Sequence, residues 1–136
     1  MSYRENQAWL AIAAIALTLV PYFVWVSLAQ PETEGARLLA LGMALGGEAL
    51  LLGATRLWLR ARTPSQDRVR DERDREIERR AVGAAYGTLM AGTIVVGVVL
   101  PFDRSGWDLI NPAVAAIGLA QGVQGAVVIW NYRYGS

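Results

Sequence analysis

The sequence predicts an all-α integral membrane protein, a bundle of four transmembrane helices arranged as two antiparallel hairpins. Four apolar blocks carry this prediction, and each has about the ~20 residues that a helix needs to cross a bilayer: residues 8–29, 38–55, 81–100 and 109–130. The first, third and fourth blocks lack the polar stripe expected of a helix in a soluble bundle. Hydrophobic residues make up 54% of the 136-residue chain, and this length suits one membrane domain over residues 1–136.

The first block, residues 8–29, has two interpretations. Ser27-Leu28-Ala29 has the small-x-small form of a signal-peptide cleavage site. Against cleavage, the 22 apolar residues exceed the ~7–15 of a signal peptide's hydrophobic region, and Arg4 is the only basic residue before them. A retained membrane anchor is therefore the favoured prediction.

The second block contains Glu48, the only charged residue in the four blocks. An acidic side chain at the centre of a membrane helix costs about 2.5–3.5 kcal/mol even on the lenient insertion scale. We therefore expect Glu48 to be hydrogen-bonded in its neutral form, to line a wet cavity, or to face a second copy. Gln121 and Gln124 of the fourth block are its expected partners, and the three residues form a possible polar site that is either structural or binds protons or cations.

The connection formed by residues 56–80 carries nine arginines and six acidic residues. Thr63-Pro64-Ser65-Gln66 has the form of a helix start, and no further proline occurs before Pro101. The pattern predicts one helix from about Gln66 to Leu100, so that the third helix extends into the cytoplasm. Acidic residues lie four positions before arginines, which helps a helix stay folded in water.

This connection is either a solvated stalk or a docking surface for a cytoplasmic protein or for anionic lipid headgroups. Its mixed charge argues against direct nucleic-acid binding, which favours a uniformly basic face. The candidate docking residues lie in this predicted extension, just before the third apolar block: Asp71, Glu72, Arg73, Ile77 and Arg80.

The distribution of arginines predicts the orientation. Four crossings place both termini and residues 56–80 on one side, with eleven arginines, whereas the two short connections hold only Arg37 and Arg104. Because basic residues stay cytoplasmic, we expect a multi-pass protein of the cytoplasmic (inner) membrane, with both termini in the cytoplasm.

Small residues mark the faces on which membrane helices pack closely. Glycines recur at close spacing in the last three blocks and predict packing faces for the monomer or for a homodimer: Gly42, Gly46 and Gly53; Gly83 and Gly87; Gly118 and Gly122. Glu48 lies on a different side of its helix from the first of these sets, so we expect it outside the tightest helix contact.

The absence of cysteine and histidine removes the thiolate and imidazole groups of many metal sites and active sites. The sequence predicts no enzyme, no cofactor and no metal site. The favoured function is a non-enzymatic regulatory or interaction protein that acts through its charged cytoplasmic helix. The alternative is a small proton-coupled transporter or channel that uses Glu48, similar in size to the small multidrug-resistance exporters, which carry their carboxylate in helix 1.

One motif resembles a known group of proteins. Asp71-Glu72-Arg73, then Ile77, then Arg80-Ala81 precede a transmembrane helix. This arrangement resembles the signature of small, uncharacterised prokaryotic four-helix membrane proteins, which carry Lys-Ala where this chain has Arg80-Ala81. Some of those proteins are thought to accompany small helix-turn-helix regulators, so the resemblance implies a weak link to signalling.

Overall fold

The computed structural model describes residues 3–64, 71–102 and 104–135, and every regular element in them is helical. Four α-helices follow one another along the chain: α1 (Tyr3–Ala29), α2 (Glu34–Arg62), α3 (Glu72–Ile94) and α4 (Trp107–Tyr134). The chain divides into two compact units, Met1–Arg68 with α1 and α2, and Val69–Ser136 with α3 and α4.

The four predicted spans are confirmed as four helices long and apolar enough to cross a membrane. At 1.5 Å per residue, the 27 residues of α1 extend about 40 Å, more than the ~30 Å of a bilayer core. Large apolar side chains are exposed on these helices, for example Leu28 (81% exposed) and Leu50 (76%). Apolar exposure on this scale suits contact with lipid rather than with water.

In the first unit, α1 and α2 pack side by side. A Cβ placed on Gly47 would lie 3.8 Å from the Cγ2 atom of Thr18, so α2 passes close to α1 at this level. The buried residues of α2 are Ala44, Glu48 and Leu59, which lie on one line of the helix.

The helix of the second span is longer than its apolar block, because α2 continues through the three arginines at 56, 60 and 62. Thr63 ends α2 as its C-cap, in an extended conformation, and its N–H donates to the Leu59 carbonyl at 3.0 Å. The prediction that Thr63-Pro64 starts a helix is therefore wrong, because this threonine closes the preceding one.

The third helix begins at Glu72, with Asp71 as an extended N-cap residue. The predicted continuous helix from Gln66 is corrected accordingly, and residues 65–70 lie outside the described residues. At its other end, α3 leads into a π-helical turn (Val95–Val99) and a 3-10 turn (Leu100–Phe102). Together these elements span Glu72–Phe102.

The second unit is an antiparallel pair of α3 and α4. Near the middle of the spans, a Cβ on Gly92 would lie 2.5 Å from the Ala116 Cβ, so the two helices are in close contact there. At the far end, the Tyr132 hydroxyl of α4 donates to the Asp74 carboxylate of α3. The start of α3 thus lies beside the end of α4.

Six of the seven predicted packing glycines make no close contact within the two helix pairs. A Cβ on any of six predicted packing glycines would meet no atom within 4 Å: Gly42, Gly46, Gly53, Gly83, Gly87 and Gly122. Of the predicted set, Gly118 is buried. The close contacts use Gly47 and Gly92 instead, because the surrounding apolar residues determine which side of each helix is buried.

Candidate functional site: the charged start of α3 and the buried Glu48

Residues 71–80, called here the charged segment, form the N-cap and first turns of α3, and all of them except Ile77 are charged. The Asp71 carboxylate accepts a hydrogen bond from the Glu72 N–H at 2.7 Å. Glu72 and Asp74 lie in the first turn, where acidic side chains interact favourably with the helix dipole. The local sequence therefore favours a helix start at this point.

Two hydrogen bonds, called here the clasp, fasten the charged segment to the end of α4. The Arg73 guanidinium donates to the Gly135 carbonyl at 2.6 Å, and the Tyr132 hydroxyl donates to the Asp74 carboxylate. Gly135 is the C-cap residue of α4, so Arg73 places a positive charge at the negative end of that helix dipole. The clasp therefore fixes the charged segment at the last turn of a membrane-spanning helix.

The apolar residues of this region are buried. Ile77 is 5% exposed and Ala81 is completely buried. They lie on the same side of α3 as Asp74 and Gly92, both of which face α4. Ile77, one of the predicted docking residues, therefore packs inside the protein and is not part of an accessible surface.

Glu76 is the centre of a small ion-pair cluster. Its carboxylate accepts from the Arg80 Nε at 2.9 Å and lies 3.2 Å from the Arg79 Nε. The hydrogen bond from Arg80 is the largest effect and lowers the pKa of the Glu76 carboxyl. Desolvation is the next largest and raises it, and the charges of Arg79 and Arg80 lower it further, so that the pKa is lowered on balance. These side chains are largely exposed, so the cluster contributes little to global stability.

The accessible surface of the charged segment consists mainly of charged side chains. Six exposed residues form it: Asp71, Glu72, Arg73, Arg75, Arg79 and Arg80. Their use as a docking surface stays a prediction.

The second candidate site is Glu48, which is only 6% exposed. Within residues 3–64, 71–102 and 104–135, its carboxyl makes no hydrogen bond or ion pair. The expectation that Glu48 avoids the packed side of α2 is wrong, because the glycine stripe lies on the exposed side and Glu48 shares the buried line with Ala44. An acidic residue at membrane depth is costly, and such residues often mark functional sites.

The two glutamines of α4 differ in environment. Gln124 is exposed, whereas the Gln121 Oε1 atom is buried and has no hydrogen-bond partner in the described part of the chain. The pairing of Glu48 with Gln121 or Gln124 stays a prediction.

The chain matches one family model, described as predicted membrane protein (DUF2178), over residues 4–134. The match covers nearly all of the chain. The chain belongs to this family. This match confirms the resemblance to small uncharacterised membrane proteins. Together with the four candidate spans, it also confirms the prediction of a multi-pass membrane protein. No curated protein and no solved structure shows a significant match to the chain.

The structural positions of three residues of this DUF2178 member could not be foreseen from the sequence: two of them bond to each other and the third is buried. Asp74 and Tyr132 form half of the clasp, but 58 positions separate them and no sequence pattern links them. Glu5 is buried at the start of α1, with 7% exposure. Its position ahead of the first apolar block gave no indication of burial.

The described residues of this DUF2178 member contain no evident metal site. No group of three or more acidic, histidine or cysteine side chains there could hold a metal ion.

Proposed function

We propose that this protein is a non-enzymatic membrane protein that docks a cytoplasmic protein on its charged segment, residues 71–80. The proposal includes the orientation with both termini in the cytoplasm, supported by the eleven-to-two distribution of arginines. It also includes assembly of the two helix pairs into one four-helix bundle, and a homo-oligomer is compatible with the exposed glycines of α2.

The clasp is the observation that supports this function best. A solvated stalk needs no fixed position, whereas Arg73 and Tyr132 hold the charged segment against the end of α4. Because two hydrogen bonds and the buried Ile77 restrain the segment, its outward charges keep a defined arrangement at the membrane surface. Such preorganisation favours specific binding, since less conformational entropy is lost on association.

The charges indicate the chemistry of the partner. Arg75 and Arg79 lie four residues apart on the exposed side of α3, with Glu72 three residues before Arg75. A surface with both signs of charge suits a protein partner with a complementary mixed pattern. Nucleic acid is a poorer match, because its phosphates favour a face without carboxylates.

Site-specific photocrosslinking in cells tests the proposal. A photoreactive amino acid at Arg75 should yield a discrete protein adduct. Reversing a neighbouring charge with Arg79→Glu should abolish the adduct. The matched control Arg104→Glu reverses an exposed arginine in the α3–α4 connection, and it should leave the adduct intact. Absence of any adduct, or equal loss with both variants, would contradict docking on the charged segment.

We propose proton-coupled transport or conduction through Glu48 as the second candidate function. The observation that favours it is the burial of Glu48, a residue that is 6% exposed and whose side chain makes no hydrogen bond among the described residues. A purely structural carboxyl in lipid would be expected to have a partner, since an unsatisfied polar group there costs several kcal/mol.

Glu48→Gln separates the structural interpretation from the transport interpretation. Glutamine keeps the shape and hydrogen-bonding capacity of the side chain but cannot release a proton. In proteoliposomes that contain a pH-sensitive dye, transport through Glu48 predicts a proton flux that the variant lacks while it still folds. Loss of folding in Glu48→Gln would show a structural role, and equal flux in both proteins would exclude Glu48 from the path.

A further inference from the structure

A small cleft lies at the connection between α3 and α4, far from the charged segment. It has a volume of about 290 Å³ and is lined by six residues: Leu100, Arg104, Trp107, Asp108, Asn111 and Pro112. All six belong to the second unit. We call it the hairpin cleft. Its volume is near the lower end of the ~300–1,000 Å³ of ligand pockets, so it suits a small polar group rather than a large molecule.

The backbone around the hairpin cleft departs from regular α-helix. The π-helical turn Val95–Val99 and the 3-10 turn Leu100–Phe102 precede it, and π-helical turns are frequent at functional sites. On the other side, Gly106 has φ of 58°, which favours glycine, and it is the N-cap of α4. These irregular elements create a recess where two regular helices joined by a tight turn would pack closely.

The cleft carries one positive and one negative side chain that do not neutralise each other. Arg104 and Asp108 both line it. In the described residues, neither side chain makes a hydrogen bond or an ion pair with the other or with a third residue. Both charges are therefore available to a ligand that itself carries an anion and a cation.

The position of the hairpin cleft along the membrane normal follows from the sequence of the second unit. The uncharged run that ends at Leu100 and the one that begins at Leu109 border the cleft from its two sides. Trp107 lies between them, and tryptophan is enriched where a membrane meets water. The cleft therefore lies at headgroup level, whichever leaflet it faces.

From this geometry we propose that the hairpin cleft binds the zwitterionic headgroup of a phospholipid such as phosphatidylethanolamine. Arg104 binds the phosphate, since a guanidinium is well suited to phosphate oxygens. Asp108 binds the ammonium group, and the Trp107 ring adds a cation–π contribution. Leu100 and Pro112 provide the apolar lining on which the glycerol and the first methylenes of the lipid rest.

Lipid retention measured by native mass spectrometry tests this assignment. The full-length protein is released from nanodiscs that contain equal amounts of phosphatidylethanolamine and phosphatidylglycerol. We expect preferential retention of phosphatidylethanolamine, and a decrease of about three- to fivefold in Arg104→Gln and in Asp108→Asn, the range of exposed ion pairs. Arg60→Gln and Glu34→Gln remove the same charge types at exposed positions elsewhere and should retain the lipid normally.

The two cleft variants distinguish the possible ligands. If only Arg104→Gln lowers retention and phosphatidylglycerol is held equally well, the cleft is a simple anion site and the proposal is wrong. If glycerophosphoethanolamine, which has no acyl chains, displaces the lipid at equal concentration, the ligand is a soluble molecule and the lipid assignment is wrong. Asp108→Glu keeps the charge and should retain the lipid, which separates a charge effect from misfolding.

Discussion

At the scale of single residues, the structure assigns different roles to glycines that look equivalent in the sequence. Gly92 lies against Ala116, whereas Gly87, five residues earlier in the same helix, faces open space. A glycine pattern shows where a helix permits close approach. It does not show which side of the helix packs against the neighbouring helix. In α3 the packed side is the one that carries Gly92.

We expect Gly92→Ala to lower the free energy of unfolding of the α3–α4 pair by about 1–3 kcal/mol, the usual cost of overpacking. The added Cβ would lie 2.5 Å from the Ala116 Cβ, so the helices must separate. Gly87→Ala is the matched control and should leave the free energy nearly unchanged. Unfolding in mixed micelles measures both. Ala116→Gly should restore much of the loss in the double variant, and failure of this rescue would contradict the contact.

For Glu48, the sequence indicated that the residue is unusual but not where it lies in the structure. Its unusual character was evident from the sequence, because it is the only charge in four apolar blocks. Its position was not, because the prediction relied on a glycine stripe that proved to be exposed. Burial of a side chain depends on the neighbouring helix, and one sequence contains no direct record of that neighbour.

At the scale of elements, the four spans followed well from hydropathy, whereas the helix ends did not. Hydrophobic runs report where lipid surrounds the chain, and they do not report where a helix continues into water. Thr63-Pro64 illustrates the difficulty, since a threonine before a proline fits both the start of a helix and the end of one. The structure uses Thr63 as the C-cap of α2 and Asp71 as the N-cap of α3.

The clasp gives a prediction at this scale. Tyr132→Phe removes the hydroxyl that donates to Asp74 and should cost about 1.5–3 kcal/mol, the range for a hydrogen bond to a charged group. Because the loss is local, amide hydrogen exchange of residues 72–80 should become faster while the spans stay protected. Tyr134→Phe removes an exposed hydroxyl of the same helix and serves as the control. Unchanged exchange in Tyr132→Phe would show that the clasp does not restrain the charged segment.

The Glu76 cluster gives a pH-dependent prediction. The pKa of Glu76 is lowered in the folded protein, chiefly by the hydrogen bond from Arg80. The ionised carboxylate therefore favours the folded segment above the ordinary glutamate pKa of about 4.5, and this contribution is lost as the pH falls through the lowered value. We expect Arg80→Gln to shift the Glu76 titration, followed by carboxyl-carbon NMR, towards the ordinary value. A titration unaffected by Arg80→Gln would contradict the hydrogen bond.

At the scale of the whole molecule, membership of a membrane-protein family and four apolar helices establish a multi-pass protein. The orientation depends on the arginine distribution, and the proposed function depends on the orientation. A charged segment outside the cell could not dock a cytoplasmic protein, however firmly the clasp holds it. The proposed function therefore requires that both termini and the charged segment lie in the cytoplasm.

Single-cysteine labelling tests this orientation, because the chain contains no cysteine of its own. Ser105→Cys, in the α3–α4 connection, should react with a membrane-impermeant maleimide in intact cells. Ala61→Cys, at the end of α2, should react only after the membrane is permeabilised. Both positions are exposed, so a difference between them reports the side of the membrane. Labelling of Ala61→Cys in intact cells, with Ser105→Cys protected, would show the opposite orientation and contradict the proposed function.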